Sequence, residues 1–364
     1  MSRTKLIIPD LHVGNLTDFW ALEYVIYKAA EILLRLGVKE VDLVLLGDIH
    51  DFQGLYPTQV TLIRGAWQSY AAAGLIDWIV ETLESKGIKV VDIIMVEGNH
   101  DKRVAEGMSL SESLLHGLND MGYEGRVFVA THYIDEESGV LYRHALLMRS
   151  SGSYIYGISP RMLREASKLI SKFGVKYVVA GHVHKFGYAK SLHGEGFAIT
   201  IPGFQIDLTR GENDRGALIM LDGNIPVFVE PDRTIKVVDE DALTLEVLNK
   251  LMEFIKRYRA KSSVPRHSCA IKELFVGLPR AKKDKGKIWW KYAILRMGNR
   301  TKVVNGELLK RVAEIYNAFD TTEEAIEHIM KVLKVNLSTA RNYVWIAIKL
   351  GLCKAKRMSR AAGE

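Results

Sequence analysis

Cysteine is scarce in this chain of 364 residues, which contains only Cys269 and Cys353. Neither belongs to a CxxC pair, so the sequence predicts neither a disulfide framework nor a zinc finger. Long apolar runs are also missing, because none approaches the roughly 18 to 20 residues that a membrane-spanning helix requires. The first residues contain no apolar region of the signal-peptide type. We therefore expect a cytoplasmic protein without a membrane partner.

Positive charge is in excess, but it is confined to one part of the chain. The net charge is +7, yet residues 1–235 contain 23 Lys and Arg against 29 Asp and Glu. Residues 256–303 contain 15 basic residues against 2 acidic ones. A basic segment on an otherwise acidic protein is typical of a polyanion partner, most often nucleic acid and here DNA. The alternative is a solvated, lysine-rich surface.

Apolar runs of strand length alternate with amphipathic stretches of helical length in the first half of the chain. This β-α-β order predicts an α/β fold, with a two-sheet mixed β-sandwich flanked by helices. In chain order the predictions are strands at 5–9, 41–46, 90–96 and 175–180, and helices at about 18–36, 62–85 and 160–173, the last with Ser159 as its cap and Gly174 at its end.

Shorter apolar runs follow, and they extend the first domain to about residue 235. Runs at 127–134 and 140–148 flank the glycine-containing loop 135–139, which predicts a β-hairpin. Further short runs lie at 196–201, 217–221 and 226–229.

The remainder of the chain divides into a connection and a small domain. Residues 256–303 lack clean periodicity, so we interpret 236–303 as a basic linker. Helical patterns at about 307–319, 322–333 and 338–350 predict a helical domain over 304–364. Thr321 begins a capping box for the second helix, and Ser338 is the expected N-cap of the third.

Four polar motifs occur in a fixed order, each at the end of a predicted strand. Ligands collect at the carboxyl ends of strands in open α/β sheets, so the motifs should meet in space. Carboxylates and imidazoles suit two divalent metals, because one carboxylate can bridge ions about 3.5–4 Å apart. Together they predict a dinuclear hydrolase site, although each alone is weak evidence. The motifs are Asp10-Leu-His12, Gly47-Asp48-Ile-His50-Asp51, Gly98-Asn99-His100-Asp101 and Gly181-His182-Val-His184.

This ordered set resembles the motifs of the calcineurin-like metallophosphoesterase superfamily, over roughly residues 6–187. The resemblance implies that Asp10, His12, Asp48 and His184 hold one metal ion. It further implies that Asp48 bridges to a second ion, which Asn99 and His182 also bind. The expected ions are two divalent metals, with Mn first and Fe, Zn, Ni or Mg as alternatives.

The resemblance also implies roles for the remaining motif residues. His100 corresponds to the general acid that protonates the leaving alkoxide, for which imidazole is well matched near neutral pH. Asp51, His50 and Asp101 are expected to orient imidazoles rather than to bind metal.

One element of the family pattern has no obvious counterpart. The superfamily usually has a further histidine at a strand end between the GNH and GHxH motifs, where it completes the second metal site. Arg149 or Ser150 occupies the expected place here. His132 and His144 are the nearby alternatives, and we interpret both as cross-strand surface histidines. Without such a histidine the second metal would be weakly held.

Two segments could bind nucleic acid. Lys287, Trp289, Trp290 and Lys291 combine cations with aromatic faces that can stack on bases. The alternative is that these aromatics pack against the first domain. The last three helices resemble a helix-turn-helix or winged-helix module, with Arg341 and Asn342 on the candidate recognition helix. A bundle that only packs or dimerises has the same periodicity.

The lead hypothesis is a metal-dependent phosphodiesterase acting on nucleic acid, specifically a DNA nuclease. The segments Asp10–Gly14 and Gly181–Lys185 are similar to those of the nuclease subunit of double-strand-break repair complexes. A phosphomonoesterase or small-molecule phosphodiesterase is the second hypothesis. The third is a DNA-binding or assembly protein whose phosphoesterase domain is catalytically weakened. A homo-oligomer is compatible with each of them.

Overall fold

The computed structural model of the chain describes residues 3–52, 61–63, 65–105, 107–146, 158–206, 212–221, 225–231, 235–262, 292–297, 300–349 and 352–355. The strands are β1 Lys5–Ile8, β2 Glu40–Leu46, β3 Lys89–Val96, β4 Val104–Ala105, β5 Met108–Ser109, β6 Val127–Ala130, β7 Tyr133–Asp135, β8 Val140–Arg143, β9 Tyr177–Ala180, β10 Gly187–Lys190, β11 Phe197–Thr200, β12 Glu212–Asp214, β13 Ala217–Leu221, β14 Ile225–Val229, β15 Ile235–Asp239, β16 Tyr292–Met297 and β17 Arg300–Asn305. The helices are α1 Phe19–Arg35, α2 Gly65–Ser85, α3 Leu110–Leu118, α4 Pro160–Phe173, α5 Glu240–Lys261, α6 Gly306–Asn317, α7 Thr322–Leu333 and α8 Leu337–Lys349, and a π-helical turn, Asn119–Tyr123, follows α3.

Two mixed sheets form the centre of the fold. The first has the order β14-β13-β1-β2-β3-β6, in which β1, β2, β3 and β6 are parallel. The second has the order β10-β11-β9-β8-β7, in which β11, β9 and β8 are parallel. Because each sheet has a parallel centre, several strands of each end at the same edge. That edge is where the four polar motifs are attached.

Apolar side chains fill the space between the two sheets. Ile7 and Leu46 of the first sheet belong to one buried cluster with Tyr142, Val179 and Ile199 of the second. On its outer face the first sheet packs against α1, α2, α3 and α5 in the largest cluster of the described residues. Helix α4 covers the outer face of the second sheet. The predicted two-sheet sandwich with flanking helices is therefore confirmed.

The long elements of the first half lie where periodicity predicts them. Helix α4 spans the predicted residues, with Ser159 accepting a hydrogen bond from the Met162 amide and Gly174 ending the helix in a left-handed conformation. The apolar run 127–134 is different, because it divides into two strands that join different sheets. Strand β6 pairs with β3, whereas β7 forms the predicted hairpin with β8.

Where the structure describes residues beyond 235, they form regular strands and a helix instead of the expected linker. Strand β15 and the 22-residue helix α5 occupy 235–261, and α5 packs on α2. Strands β16 and β17 pair with each other, with β15 and with β12, in the sheet order β12-β17-β16-β15. The buried side chains of α5 recur at helical spacing, as Leu243, Val247, Leu251, Phe254 and Tyr258 show, so the sequence contains a signal for this helix that the linker prediction overlooks. Residues 263–291, which contain 8 of the 15 basic residues of the segment 256–303, lie outside the described residues.

The three C-terminal helices are present and pack around one small apolar cluster. Val312 and Tyr316 of α6, Ile329 of α7 and Val344 of α8 contribute to it. Thr321 caps α7 as predicted. Helix α8 begins one residue earlier than expected, because Asn336 rather than Ser338 accepts the capping hydrogen bond, from the Thr339 amide at 2.8 Å.

Within the described residues, no helix has both the length and the apolar character needed to cross a membrane.

Candidate metal centre

The structure brings the four motifs together at one edge of the sandwich. Asp10 follows β1, Asp48 follows β2, and Asn99 follows β3, all in the first sheet. His182 and His184 follow β9 of the second sheet. The backbone ties neighbouring motifs to each other, since the Asp10 amide donates to the Gly47 carbonyl at 3.0 Å and the His12 amide to the Asp48 carbonyl at 2.9 Å.

A left-handed backbone conformation marks five of the predicted ligand residues. Such conformations are unfavourable for residues with a Cβ atom and persist where the surrounding structure imposes them, often at functional sites. Among the described non-glycine residues, only Phe52 and Lys334 share this feature. The φ angles are 46° for Asp10, 48° for His12, 45° for Asp48, 69° for His182 and 51° for His184.

Two motif glycines allow the close approach of ligand-bearing loops. A Cβ atom on Gly98 would lie 2.1 Å from the Asp48 amide nitrogen. One on Gly181 would lie 2.4 Å from Asp10 Oδ2. Real Cβ atoms do not approach other atoms so closely, so the glycines of GNH and GHxH are needed for packing at the site itself.

The first group of ligands is Asp10, His12 and His184, whose donor atoms lie within 4.8 Å of one another. His184 Nε2 is 3.7 Å from Asp10 Oδ1. The His12 Nε2 atom is 3.9 Å from Asp48 Oδ2, so Asp48 adjoins this group as well. All four side chains are buried. The side chains predicted to hold the first metal ion therefore come together from two neighbouring strands of the first sheet and one of the second.

The second group contains His144, which the sequence analysis interprets as a surface histidine. Asp48, His144 and His182 have donor atoms within 4.8 Å of one another. His144 Nε2 lies 3.1 Å from Asp48 Oδ2, from Asn99 Oδ1 and from His182 Nδ1. Its Nδ1 atom is 3.1 Å from the Leu46 carbonyl, which fixes the ring orientation.

The interpretation of His144 as a surface histidine is therefore wrong. Strand β8 ends at Arg143, so His144 follows a strand end instead of beginning the next apolar run. His132 is exposed and lies against Phe173, away from the site. Arg149 and Ser150 lie outside the described residues. A histidine directly after a short buried strand was the sequence signal that could have identified it.

The donor set fits a pair of divalent cations. Asp10 Oδ1 and His12 Nε2 are buried and have no hydrogen-bond partner among the described residues. Buried polar atoms without partners are costly, and a bound cation would satisfy both. Asp48 contacts both groups of ligands, which is the position of a bridging carboxylate. Oxygen and imidazole donors are compatible with Mn, Fe, Zn and Ni.

Burial and close neighbours shift the pKa values of several candidate ligands. Burial alone would lower the pKa of His144, but the carboxylates of Asp48 and Asp10 raise it to about 10. Burial, and then repulsion from His144, lowers the pKa of His182 to about 4. Burial raises the pKa of Asp10 to about 7 against the opposing attraction of His144. Burial opposes ionisation of Asp48 too, but contact with His144 holds its pKa well below the usual range.

His100 lies beside the first group of ligands. Its amide donates to Asp48 Oδ1 at 2.9 Å, and its ring is 5.0 Å from that of His12, edge to face. Its Nδ1 atom is hydrogen-bonded to the Asp51 carbonyl, and its Nε2 atom is 3.9 Å from Asp48 Oδ2. The Nε2 side of the ring is thus directed toward Asp48.

Asp51, His50 and Asp101 lie behind the ligands. Asp51 Oδ1 accepts from His12 Nδ1 at 3.0 Å, and Asp101 Oδ1 contacts His50 Nδ1 at 2.8 Å. The Asp101 carboxylate also accepts from the amides of Gly98 and His50, at 2.9 and 3.0 Å. Asp51 therefore orients the His12 imidazole, whereas Asp101 joins the GDIHD and GNHD loops. The His50 ring itself contacts Ser69 Oγ at 3.2 Å.

Two of the candidate nucleic-acid residues lie in the described part of the chain. Arg341 is exposed and Asn342 half-buried on α8. Lys287, Trp289, Trp290 and Lys291 lie outside the described residues.

Comparison with known proteins places the first half of the chain in a family. The model of the calcineurin-like phosphoesterase family matches residues 4–186. No curated protein matches the chain.

Several solved structures are similar at low identity. A predicted phosphoesterase from Streptococcus pneumoniae is 13% identical, with 61% of this chain and 86% of that protein covered and a TM-score of 0.27. A single mutant of Vps29 from Entamoeba histolytica is 12% identical, with 62% and 98% covered and a TM-score of 0.29. The nuclease MPE from Pseudomonas putida is 16% identical, with 61% and 87% covered and a TM-score of 0.26. The match over half its length shows that this chain belongs to the calcineurin-like phosphoesterase family and is a metal-dependent phosphoester hydrolase.

Proposed function

We propose that the protein is a phosphodiesterase that cleaves nucleic acid, specifically a DNA nuclease, with two Mn²⁺ ions as its cofactor. The observation that carries the proposal is the contact of Asp48 with both groups of ligands, with His100 alongside. A pair of ions held there would lower the pKa of a water molecule and neutralise charge on the phosphate. Asp10, His12, His184, Asn99, His144 and His182 would complete the two coordination spheres.

His100 supplies the proton that the reaction needs. As the P–O bond to the leaving oxygen breaks and a bond from the water oxygen forms, His100 Nε2 donates its proton to the leaving alkoxide. His100 Nε2 lies 3.9 Å from Asp48 Oδ2, next to the carboxylate that both groups of candidate ligands share. The hypothesis of a catalytically weakened domain rested on a missing histidine, and the position of His144 removes that support.

The basic segment 256–303 supports a polymeric substrate. A concentration of Lys and Arg on an otherwise acidic protein attracts a polyanion and makes its binding sensitive to salt. Arg341 and Asn342 on α8 are the described side chains that we assign to DNA contact, and the segment 287–291 is assigned to stacking on bases. We expect Arg341→Ala to weaken DNA binding by about tenfold and to reduce its salt dependence.

A single screen tests the proposal. The purified full chain with Mn²⁺ is assayed on single-stranded DNA, duplex DNA, RNA, p-nitrophenyl phosphate and bis-p-nitrophenyl phosphate. We expect cleavage of DNA and of the diester, with Asp48→Asn and His100→Gln each reducing kcat by about 10²-fold or more. His132→Gln is the matched control, because His132 is exposed outside the site. Cleavage of the monoester alone, or activity that survives both site substitutions, would overturn the assignment.

A further inference from the structure

Gln68 is a fully buried side chain that contacts the metal-site loops without being part of any motif. It lies in the first part of α2. Its Oε1 atom accepts from the amides of Asp51 and Phe52, at 3.2 and 2.9 Å, and its Nε2 atom donates to the Ile63 carbonyl at 3.0 Å. The two backbone amides need an acceptor, which is the side-chain oxygen of Gln68, and the Ile63 carbonyl needs a donor, which is its side-chain nitrogen. Only one orientation of the Gln68 carboxamide therefore fits.

The backbone around Gln68 is shaped to receive it. Phe52 has a φ of 50°, so the turn that presents the two amides is unfavourable without support. Gly14 has a φ of 109° and lies against the Gln68 side chain, where an added Cβ would be 2.5 Å from the carboxamide carbon. The hydrogen bonds of Gln68 thus stabilise one particular conformation of the Asp51–Phe52 turn.

The Asp51–Phe52 turn determines the ring orientation of two histidines of the site. The Asp51 carboxylate orients His12 through the 3.0 Å hydrogen bond to Nδ1, and the Asp51 carbonyl accepts from His100 Nδ1. The Asp51 carbonyl and the Phe52 amide belong to the same peptide group. In a trans peptide these two groups point in opposite directions, so a partner that holds the N–H also aims the C=O. Gln68 holds this N–H.

We propose that Gln68 is a positioning residue for the phosphodiester reaction, which orients the Asp51–Phe52 peptide so that His100 is aimed at the leaving group and His12 at the metal. The proposal rests on the proposed function for the role of His100. With Nδ1–H held by the Asp51 carbonyl, Nε2 is the atom that carries the transferable proton. Loss of Gln68 should therefore impair protonation of the leaving oxygen more than the other steps.

Substrates whose leaving groups differ in basicity distinguish a positioning role of Gln68 from a purely structural role. Thymidine 5′-(p-nitrophenyl phosphate) releases a stable phenolate, whereas the dinucleotide TpT releases an alkoxide that must be protonated. In Gln68→Met, which has a similar volume but no acceptor, we expect kcat on TpT to fall about 10²-fold. On the aryl ester we expect a loss of less than about tenfold, since general-acid catalysis contributes little there.

Two further variants make the comparison specific. Gln68→Glu keeps an acceptor for both amides and, as a neutral carboxylic acid, also a donor for the Ile63 carbonyl, so it should retain most of the TpT activity. Thr82→Val removes a side-chain hydrogen bond to the Trp78 carbonyl on the same helix, away from the site, and should leave both rates unchanged. An equal loss on both substrates, or no loss in Gln68→Met, would overturn the positioning role.

A measurement on the metal-free protein does not depend on activity. Nitrogen-15 NMR of the imidazoles should show a proton on His100 Nδ1, assigned by its absence in His100→Gln. We expect this proton signal to be lost in Gln68→Met but kept in Gln68→Glu and Thr82→Val. If the signal persists in Gln68→Met, the inference is wrong. If the wild type cleaves neither substrate, the proposed function fails, while this spectrum still decides the role of Gln68.

Discussion

His144 Nε2 lies 3.1 Å from Asp48 Oδ2, which joins a histidine of the second sheet to the central carboxylate of the first. The contact spans the two halves of the sandwich at the edge where their parallel strands end. Asp48 thereby has imidazole neighbours on two sides, since His12 Nε2 is 3.9 Å from the same oxygen. A carboxylate in this position can serve two cations at once.

Removal of His144 should convert a site for two ions into a site for one. We expect His144→Ala to bind about one Mn²⁺ where the wild type binds two, because Asp48, Asn99 and His182 alone leave the second ion weakly held. Metal content after dialysis, measured by inductively coupled plasma mass spectrometry, gives the ratio directly. His132→Ala should keep two ions. Equal metal content in the wild type and His144→Ala would exclude His144 as a ligand.

A substitution at Gly47 should weaken the second metal site without replacing any of its ligands. Its φ is 81°, and an added Cβ would lie 2.5 Å from His144 Nδ1. Gly47→Ala should therefore displace the His144 ring and lower the affinity for the second Mn²⁺ by at least about tenfold, because misplaced ligands bind metal poorly. Isothermal titration with Mn²⁺ measures this change.

A matched glycine separates displacement of the ring from backbone strain. Gly87 has a nearly identical φ of 83°, but nothing lies within 4 Å of its added Cβ. Gly87→Ala should cost about 1 kcal/mol of stability from strain and leave metal affinity unchanged. If the two alanine variants bind Mn²⁺ equally well, the packing explanation for Gly47 is wrong.

Sequence alone predicts this site well where a motif follows a buried apolar run. Asp10, Asp48 and Asn99 each follow an uninterrupted apolar run, and the carboxyl ends of parallel strands meet by geometry. The same logic predicts the sandwich, because alternation of strands and helices leaves few topologies that bury both sheet faces.

The features that the sequence does not predict depend on contacts between elements that are distant in the chain. His144 follows a strand of four residues, and the apolar residues after it disguise where that strand ends. The run 127–134 is continuous in sequence, but its two halves pair with different sheets, which no local pattern reveals. Gln68 belongs to the buried side of a helix, and its role arises only from the turn that it contacts.

Helix α5 packs against the first half of the fold. A substitution that adds one methyl group between α2 and α5 should therefore destabilise the protein. Gly74 of α2 lies so close to α5 that an added Cβ would be 2.0 Å from the Phe254 carbonyl oxygen. We expect Gly74→Ala to lower the free energy of unfolding by about 2 kcal/mol or more, because overpacking forces the helices apart. Urea denaturation measures the change.

Gly117 of α3 is the control for the Gly74 substitution. Its added Cβ would meet only ordinary contacts at 3.5 Å, so Gly117→Ala should be neutral or slightly stabilising through helix propensity. Deletion of residues beyond 255 is consequently a poor test of whether the basic region binds substrate, since it removes part of the α2–α5 contact. A Gly74→Ala variant as stable as the wild type would contradict this view of α5.

Removal of metal should lower the thermal stability of the folded protein. Asp10 Oδ1 and His12 Nε2 are buried without hydrogen-bond partners among the described residues, and five of the predicted ligand residues have left-handed backbones. A ligand that binds only the folded state stabilises it by about 2.7 kcal/mol at a free concentration one hundred times its Kd. We expect EDTA to lower the Tm of the Mn²⁺-loaded wild type by several degrees, as measured by calorimetry. Asp48→Asn, which lacks the bridging carboxylate, should show a much smaller decrease. An EDTA-insensitive wild type would mean that these ligands do not hold metal in the folded protein.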